Sequence, residues 1–325
     1  MRALIGLVVA GLVSTASAQP AEKIWRVGNV NGVSAAVAKP YEDAFLAGMR
    51  ERGYVVGRNL VFDTRYADGD PSRYRALIDE VIALKPDVLI GANTAVSKLM
   101  KTRTKKIPIV LATSGDPVGD RLVESLSRPG GNVTGVSLQL GEFGGKHVEL
   151  IAELLPGLRS ICVLADNSGD SLPQIEEYGR RAGAAAKAKG VEIRSYRIDR
   201  RADLEQVFRE MSAARPDALL AFLSPRLNSL RHDIIGRTAG IGLPAIAHHE
   251  GFAQDGGLMS FGPSFVEGWR RVPYFVDRIF KGAQPAELPI EQPTKFLLLI
   301  NAKTAKALGI TIPKSILLRA DRVVE

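Results

Sequence analysis

The sequence has 325 residues, 46% hydrophobic and 24% charged, which is typical of a globular protein long enough for two domains. The formal net charge of +8 raises the possibility of nucleic-acid binding. However, basic residues are dispersed among acidic ones and aromatic residues make up only 6%, so we expect no nucleic-acid partner. The single cysteine, Cys162, excludes an intramolecular disulfide and a thiolate metal cage.

The N-terminal stretch Met1–Ala18 has the pattern of a secretory signal peptide. Arg2 precedes the uncharged apolar run Ala3–Val13, and Ala16-Ser17-Ala18 fits the small-x-small cleavage rule. The alternatives are a membrane anchor or a buried first helix, but the run is short for a bilayer and charged residues follow it. We therefore expect cleavage after Ala18 and a periplasmic protein.

The first half of the chain alternates short apolar runs with helical patterns, which predicts parallel strands joined by helices. The predicted strands are Ile24–Val30, Leu60–Tyr66, Val88–Ala92, Ile107–Ala112 and Asn132–Ser137. The predicted helices are Pro40–Arg52, Asp70–Leu84, a short one from Asn93, and Val118–Ser127, which Pro129-Gly130-Gly131 ends.

The second half repeats this order, and Arg215-Pro216-Asp217 mirrors Lys85-Pro86-Asp87. Its predicted helices are Phe143–Leu155, Pro173–Lys189 and Asp203–Ala214, and its predicted strands are Ser160–Ala165, Val191–Ile198, Ala218–Leu223 and Leu243–Ala247. The tail then departs from the repeat, with a strand or crossing segment at Gly257–Gly262, a helix at Ser264–Phe280, a strand at Lys295–Ile300 and a helix at Lys303–Leu308.

This duplication predicts an α/β protein of two Rossmann-like lobes with parallel sheets. The chain is expected to cross between the lobes at about Ser137, Ser260 and Glu287–Pro293, which would form a three-segment hinge. The expected divisions are a signal peptide of residues 1–18, a first lobe of residues 19–137 plus 261–287, and a second lobe of residues 138–260 plus 288–325.

Most catalytic motifs are absent, including nucleotide-binding glycine loops, zinc motifs and a G-x-S-x-G elbow. Gly169-Asp170-Ser171-Leu172 spells the box of GDSL hydrolases, so an exported hydrolase acting through Ser171 is an alternative. That family's C-terminal Asp-x-x-His is missing, and a serine without its base is a weak nucleophile. His248-His249-Glu250 has no further His or Cys partner, so we predict no catalytic residue, metal site or cofactor.

Several segments together resemble bacterial ABC-transporter substrate-binding proteins of the type that includes tryptophan- and tyrosine-binding members. No single segment is specific, but the ordered set covers nearly the whole mature chain. The matching segments are Gly48–Asn59, Ala67–Pro71, Pro108–Val110, Asp116–Val118, Arg128–Gly135 and Asn301–Pro313. The resemblance implies a type I periplasmic-binding fold that clamps a small ligand between its lobes.

The resemblance also implies a set of ligand-facing residues in the loops that follow the strands. They are Asn31, Gly32, Ser34, Asn93, Thr94, Thr113, Ser114, Asp116, Asp166, Asn167, Ser224, Arg226, His249 and Glu250. Asp116 is equally explained as the cap of the following turn. Arg226 replaces an expected polar pair, which favours a carboxylate-bearing ligand; alternatively it covers the following helix.

The implied function is a monomeric periplasmic receptor that delivers a small organic molecule to the permease of an ABC importer. Its ligand is expected to carry a carboxylate, and an aromatic or amino-acid-like molecule fits the family. A sensory receptor with the same fold, docking on a membrane sensor, is a further alternative.

Overall fold

A computed structural model describes residues 23–167 and 172–325 of the chain. The predicted signal peptide and Ser171 of the hydrolase box lie outside the described residues. None of the helices within those two ranges is long and apolar enough to cross a membrane.

The first lobe is built on a five-stranded parallel sheet with the strand order β2-β1-β3-β4-β5. Strands β3, β4 and β5 are buried along their whole length, as expected for a parallel sheet covered on both faces. The strands are β1 (Trp25–Asn31), β2 (Leu60–Tyr66), β3 (Val88–Gly91), β4 (Ile109–Ser114) and β5 (Val133–Ser137).

The second lobe is built on a seven-stranded sheet with the order β12-β11-β10-β9-β8-β6-β7. Its pairs are parallel except for β10 with β11, which run antiparallel. The strands are β6 (Ser160–Asp166), β7 (Glu192–Ile198), β8 (Ala218–Ala221), β9 (Ala245–Ala247), β10 (Met259–Pro263), β11 (Phe296–Asn301) and β12 (Arg322–Val324). The predicted fold of two mostly parallel α/β lobes is therefore confirmed.

Helices cover the faces of the two sheets. They are α1 (Ala35–Glu51), α2 (Tyr74–Ala83), α3 (Thr94–Arg103), α4 (Phe143–Leu154), α5 (Leu172–Ala188), α6 (Asp203–Ala214), α7 (Pro225–Ser229), α8 (Arg231–Gly240), α9 (Glu250–Gln254), α10 (Phe265–Phe280), α11 (Ala302–Ala307) and α12 (Lys314–Arg319). Short 3-10 helices lie at Pro71–Arg73, Leu140–Glu142 and Pro285–Glu287.

The long helix α10 returns to the first lobe, where it packs on α1, β4 and β5. Phe45 and Met49 of α1 are fully buried, in agreement with the apolar spacing that predicts this helix. A Cβ atom at Gly48 would lie 2.8 Å from Cγ of Pro273, so a glycine is needed for this close helix contact. The chain therefore leaves the second lobe after β10 and returns to it at β11.

The prediction of a helix at Val118–Ser127 is wrong, because this segment forms turns. Arg121 has a left-handed backbone with φ of 57°, which interrupts a right-handed helix. The amides of Leu122 and Val123 both donate to the carbonyl of Pro117 instead of continuing a helical ladder. Near the C terminus, the sequence-based prediction also missed α12 and β12.

Candidate ligand-binding site

A cavity of about 70 Å³ lies between the two lobes, at the carboxyl ends of their parallel strands. This is the edge at which open α/β sheets bind ligands. It is lined by Asn31, Gly32, Val33, Tyr41, Ala92, Asn93, Thr94, Thr113, Leu140, Gln174, Phe222, Leu223, Ser224, Pro225, Asn228, His249, Phe265 and Trp269.

Asn31 ends β1 and presents its amide to the cavity. Its Oδ1 accepts a hydrogen bond from the amide of Val33 at 3.3 Å, which fixes the orientation of the side chain. Its Nδ2 is buried and has no hydrogen-bond partner. The N terminus of α1 follows, and Ser34 does not cap it with its side chain. One donor without an internal partner, Nδ2 of Asn31, therefore faces the cavity from this lobe.

Asn93 and Thr94 open α3 at the carboxyl end of β3. Asn93 caps the helix, because its Oδ1 accepts from the amide of Val96 at 3.0 Å. Thr94 Oγ1 accepts from the amide of Gly115 at 3.0 Å and from Nε2 of Gln174 at 2.9 Å. Because Gln174 belongs to α5 of the second lobe, this side chain joins the two lobes beside the cavity.

The second lobe contributes Ser224 and Asn228. Ser224 Oγ donates to Oδ2 of Asp166 at 2.7 Å and accepts from the amide of Leu227 at 3.3 Å. Asp166 is fully buried behind Ser224 and does not line the cavity. Oδ1 of Asn228 is buried and, like Nδ2 of Asn31, has no hydrogen-bond partner.

Tyr41 and His249 connect the lobes across the cavity, with Oη and Nε2 separated by 2.6 Å. Nδ1 of His249 accepts from the amide of Gly251 at 3.1 Å, so the neutral ring carries its proton on Nε2 and donates to Tyr41. Burial, with a smaller contribution from the positive charge of Arg231, lowers the pKa of His249 to about 3. The imidazole is therefore neutral in this closed arrangement.

Aromatic side chains form one wall of the cavity. The rings of Tyr41 and Trp269 stack at 6.3 Å, and the ring of Phe265 lies 4.5 Å from that of His249. Phe222 contributes from the second lobe. Within the described lining, no side chain is a carboxylate, an ammonium or a guanidinium. The site can therefore hold a small, partly aromatic molecule through neutral hydrogen bonds.

Seven of the predicted residues line the cavity: Asn31, Gly32, Asn93, Thr94, Thr113, Ser224 and His249. The other seven lie outside this lining: Ser34, Ser114, Asp116, Asp166, Asn167, Arg226 and Glu250. Whether any of these fourteen residues contacts a ligand stays a prediction.

The residues outside the lining have other partners. Ser114 Oγ lies 3.4 Å from Thr94 Oγ1, and Asn167 donates to Asp199 at 3.1 Å. Asp116 accepts from the amides of two residues in the following turn. Glu250 accepts from Ser264 Oγ and the amide of Val266, at the start of α10.

Arg226 lies at the rim between the lobes, where its Cα is within 3.5 Å of the position that a Cβ at Gly69 would take. Hydrogen bonds from Ser72 lower the pKa of Asp70, and the charge of Arg226 adds to this shift. The position of Arg226 at the rim therefore supports an interaction of this side chain with the first lobe.

The prediction missed Tyr41, Gln174, Phe222, Asn228, Phe265 and Trp269. Tyr41 shares a helical face with Phe45 and Met49, and this spacing is typical of a core residue. Gln174 and Asn228 lie one turn inside their helices, beyond the loops that the prediction considered. A search of first helical turns after each strand would have found Asn228.

The model of the ABC transporter substrate binding protein family matches residues 30–324. The chain belongs to this family. A tyrosine-binding protein of Clostridioides difficile strain R20291 is 25% identical over 288 residues, which are 86% of this chain and 80% of that protein. Substrate-binding proteins of ABC transporters are extracytoplasmic solute receptors.

Two solved structures superpose on 93% of this chain, and the superposition covers 100% of each of those two chains. A conserved domain protein from Vibrio cholerae O1 has a TM-score of 0.85 at 28% identity. An ABC domain in complex with L-Trp from Streptococcus pneumoniae has a TM-score of 0.84 at 26% identity. More distant neighbours are type I periplasmic binding proteins and share the fold alone, so the predicted fold type is confirmed.

Proposed function

We propose that this protein is the periplasmic receptor of an ABC importer and closes its two lobes over one small organic ligand. The observation that carries the proposal is the cavity between the lobes, spanned by Tyr41 of one lobe and His249 of the other. The relatives support it, since one is a tyrosine-binding protein and another was solved with L-Trp.

The proposed motion is a hinge closure about three connecting segments. They follow β5, β10 and the 3-10 helix Pro285–Glu287, and Arg271 of α10 forms a two-point ion pair with Glu291 in the third segment. The proposed lobes are residues 23–137 plus the α10 region, and residues 138–263 plus the C-terminal segment from β11. The closed form would then dock, as a monomer, on an inner-membrane permease.

The proposed ligand contacts are the cavity-lining members of the predicted set, together with Tyr41, Gln174 and Asn228. The proposal includes removal of Met1–Ala18 as a signal peptide and no enzymatic activity. Esterase assays are expected to show no turnover. If the protein does turn over an ester and Ser171→Ala abolishes this activity, the receptor function is contradicted.

The decisive experiment is native purification from the periplasm followed by mass spectrometry of released small molecules and calorimetry with each of them. We expect one compound to bind at a stoichiometry of one and to reduce the radius of gyration in small-angle scattering. Absence of binding by any released or screened small molecule would contradict the proposal.

A further inference from the structure

Two unpaired polar atoms in the cavity wall define what a ligand must offer. Nδ2 of Asn31 is a donor without an acceptor, and Oδ1 of Asn228 is an acceptor without a donor. Both residues are 5% exposed. A buried polar group without a partner is destabilising, so a ligand that satisfies both atoms gains affinity from each. The matching ligand presents an acceptor to the first lobe and a hydroxyl-type donor to the second.

The acceptor end faces a positive potential. The 10-residue helix α3 begins at Thr94, which lines the cavity, whereas the first residues of α1, Ala35 and Ala36, are exposed outside the lining. Helix N termini carry a partial positive charge and unpaired amide donors, which favour anions and disfavour cations. A carboxylate therefore suits this end of the cavity better than a neutral acceptor does.

An ammonium group has no comparable partner in the described part of the cavity wall. Two acidic side chains behind that wall are already engaged, Asp166 by Ser224 and Glu250 by Ser264 and the amide of Val266. An ammonium buried against neutral groups and a helix N terminus would lose its hydration without an ion pair in return.

The size and shape of the cavity limit the rest of the molecule. The cavity of about 70 Å³ suits a small molecule, and the aromatic side chains in its wall favour a ring. Tyr41, Phe265 and Trp269 offer ring faces and edges to such a group.

We propose that the cleft selects a single-ring aromatic carboxylate that bears a hydroxyl group and lacks an ammonium group. The carboxylate would bind at Asn31 and the N terminus of α3, and the hydroxyl would donate to Asn228. This assignment rests on the proposed receptor function and specifies its ligand class.

The test compares three matched ligands by calorimetry on the unmodified mature protein. The ligands are 3-(4-hydroxyphenyl)propionate, L-tyrosine, which adds an ammonium to it, and tyramine, which has the ammonium and no carboxylate. We expect the propionate to bind at least about tenfold more tightly than tyrosine and tyramine not to bind, because the ammonium stays unpaired. Equal or tighter binding of tyrosine would overturn the proposal.

A variant pair locates the carboxylate. Asn31→Asp keeps the oxygen that accepts from Val33 and replaces only the free donor, whereas Gln206→Glu makes the same amide-to-carboxylate change on the exposed face of α6. We expect Asn31→Asp to weaken binding of the propionate about a hundredfold and Gln206→Glu to leave it unchanged. An unchanged affinity in Asn31→Asp would overturn the assignment.

Different binding results would contradict the proposed ligand class and the proposed receptor function. If none of the three ligands binds while a compound released from native protein does, the ligand class is wrong and the receptor function stands. If neither these ligands nor any released or screened compound binds, both are wrong.

Discussion

Two neighbouring cavities between the lobes differ sharply in charge. The central cavity has a neutral described lining, whereas a cavity of about 330 Å³ beside it is lined by Asp116, Asp120, Glu142, Glu177 and Arg181. Gln174 lines both. Neutral hydrogen-bonding groups line the centre, where we propose that the ligand binds. Charged groups line the outer cavity, and among them Asp120 is buried.

The ion pairs of Glu177 beside the outer cavity are exposed, so they contribute little to closure. Arg180 and Arg181 lower the pKa of Glu177 to about 2 through hydrogen bonds, but all three side chains are substantially solvated. Exposed ion pairs contribute about 0–1 kcal/mol. The central contacts are buried, and their loss is expected to have larger effects on binding.

The largest expected effect comes from filling the space between Gly115 and Gln174. A Cβ at Gly115 would lie 1.8–2.0 Å from the amide group of Gln174, which would displace Gln174 from Thr94 in the closed form. Overpacking costs about 1–3 kcal/mol, so Gly115→Ala should weaken ligand binding roughly tenfold to hundredfold. Calorimetry measures this loss.

A double variant provides the control for this steric argument. Gln174→Ala removes the obstructing group, so Gly115→Ala should cost much less affinity in that background. An equal loss in both backgrounds would show that the effect of Gly115→Ala does not pass through Gln174.

The next effect concerns the hydrogen bond between the lobes. Tyr41→Phe removes the hydroxyl that accepts from His249 at 2.6 Å and leaves the stacked ring in place. Loss of a buried hydrogen bond costs about 1–2 kcal/mol, so affinity should fall roughly tenfold by calorimetry. Tyr54→Phe is the matched control, because the Tyr54 hydroxyl bonds Asp277 within one lobe. Equal losses of affinity in the two variants would show that the Tyr41 hydroxyl has no special role in closing the lobes.

Sequence patterns predicted the two sheets because buried parallel strands require continuous apolar runs, as in Ile109–Ala112 and Ala218–Ala221. The family resemblance implied Asn31, Asn93 and Ser224, and these residues line the cavity because polar residues after parallel strands lie at one edge of a sheet. Tyr41 could not be predicted in this way. Its helical spacing is that of a core residue, and only the closed packing of the lobes brings it to His249.

A smaller effect is expected from pH through His249. Burial lowers its pKa to about 3 in the closed form, while a solvated histidine in the open form titrates near 6.5. The neutral ring favours closure above pH 6.5, and this contribution is lost as the pH falls toward 3, because protons bind the open form preferentially. Affinity should fall about fourfold between pH 7.5 and pH 6.0.

His249→Gln identifies the source of this pH dependence. Glutamine keeps hydrogen-bonding capacity without titrating in this range, so the slope of affinity against pH between 7.5 and 6.0 should flatten. The charged groups that influence this part of the site, Arg231, Asp255 and Glu250, remain in the variant. A slope that persists in the variant would assign the titration to another group.

The smallest effect is expected from Arg226→Ala. This variant tests whether Arg226 acts at the rim or contacts a ligand in the cavity. The sequence predicts Arg226 as the carboxylate anchor, for which a loss well beyond tenfold is expected. The structure places it at the rim, where its charge acts on the exposed Asp70. An interaction of that kind contributes about 0–1 kcal/mol and is screened by salt, so affinity should fall only about twofold, and less at high ionic strength. Calorimetry at low and high salt measures this effect. A loss of affinity beyond tenfold that does not depend on salt would show that Arg226 contacts the ligand. The carboxylate of the ligand would then bind at Arg226 and not at Asn31.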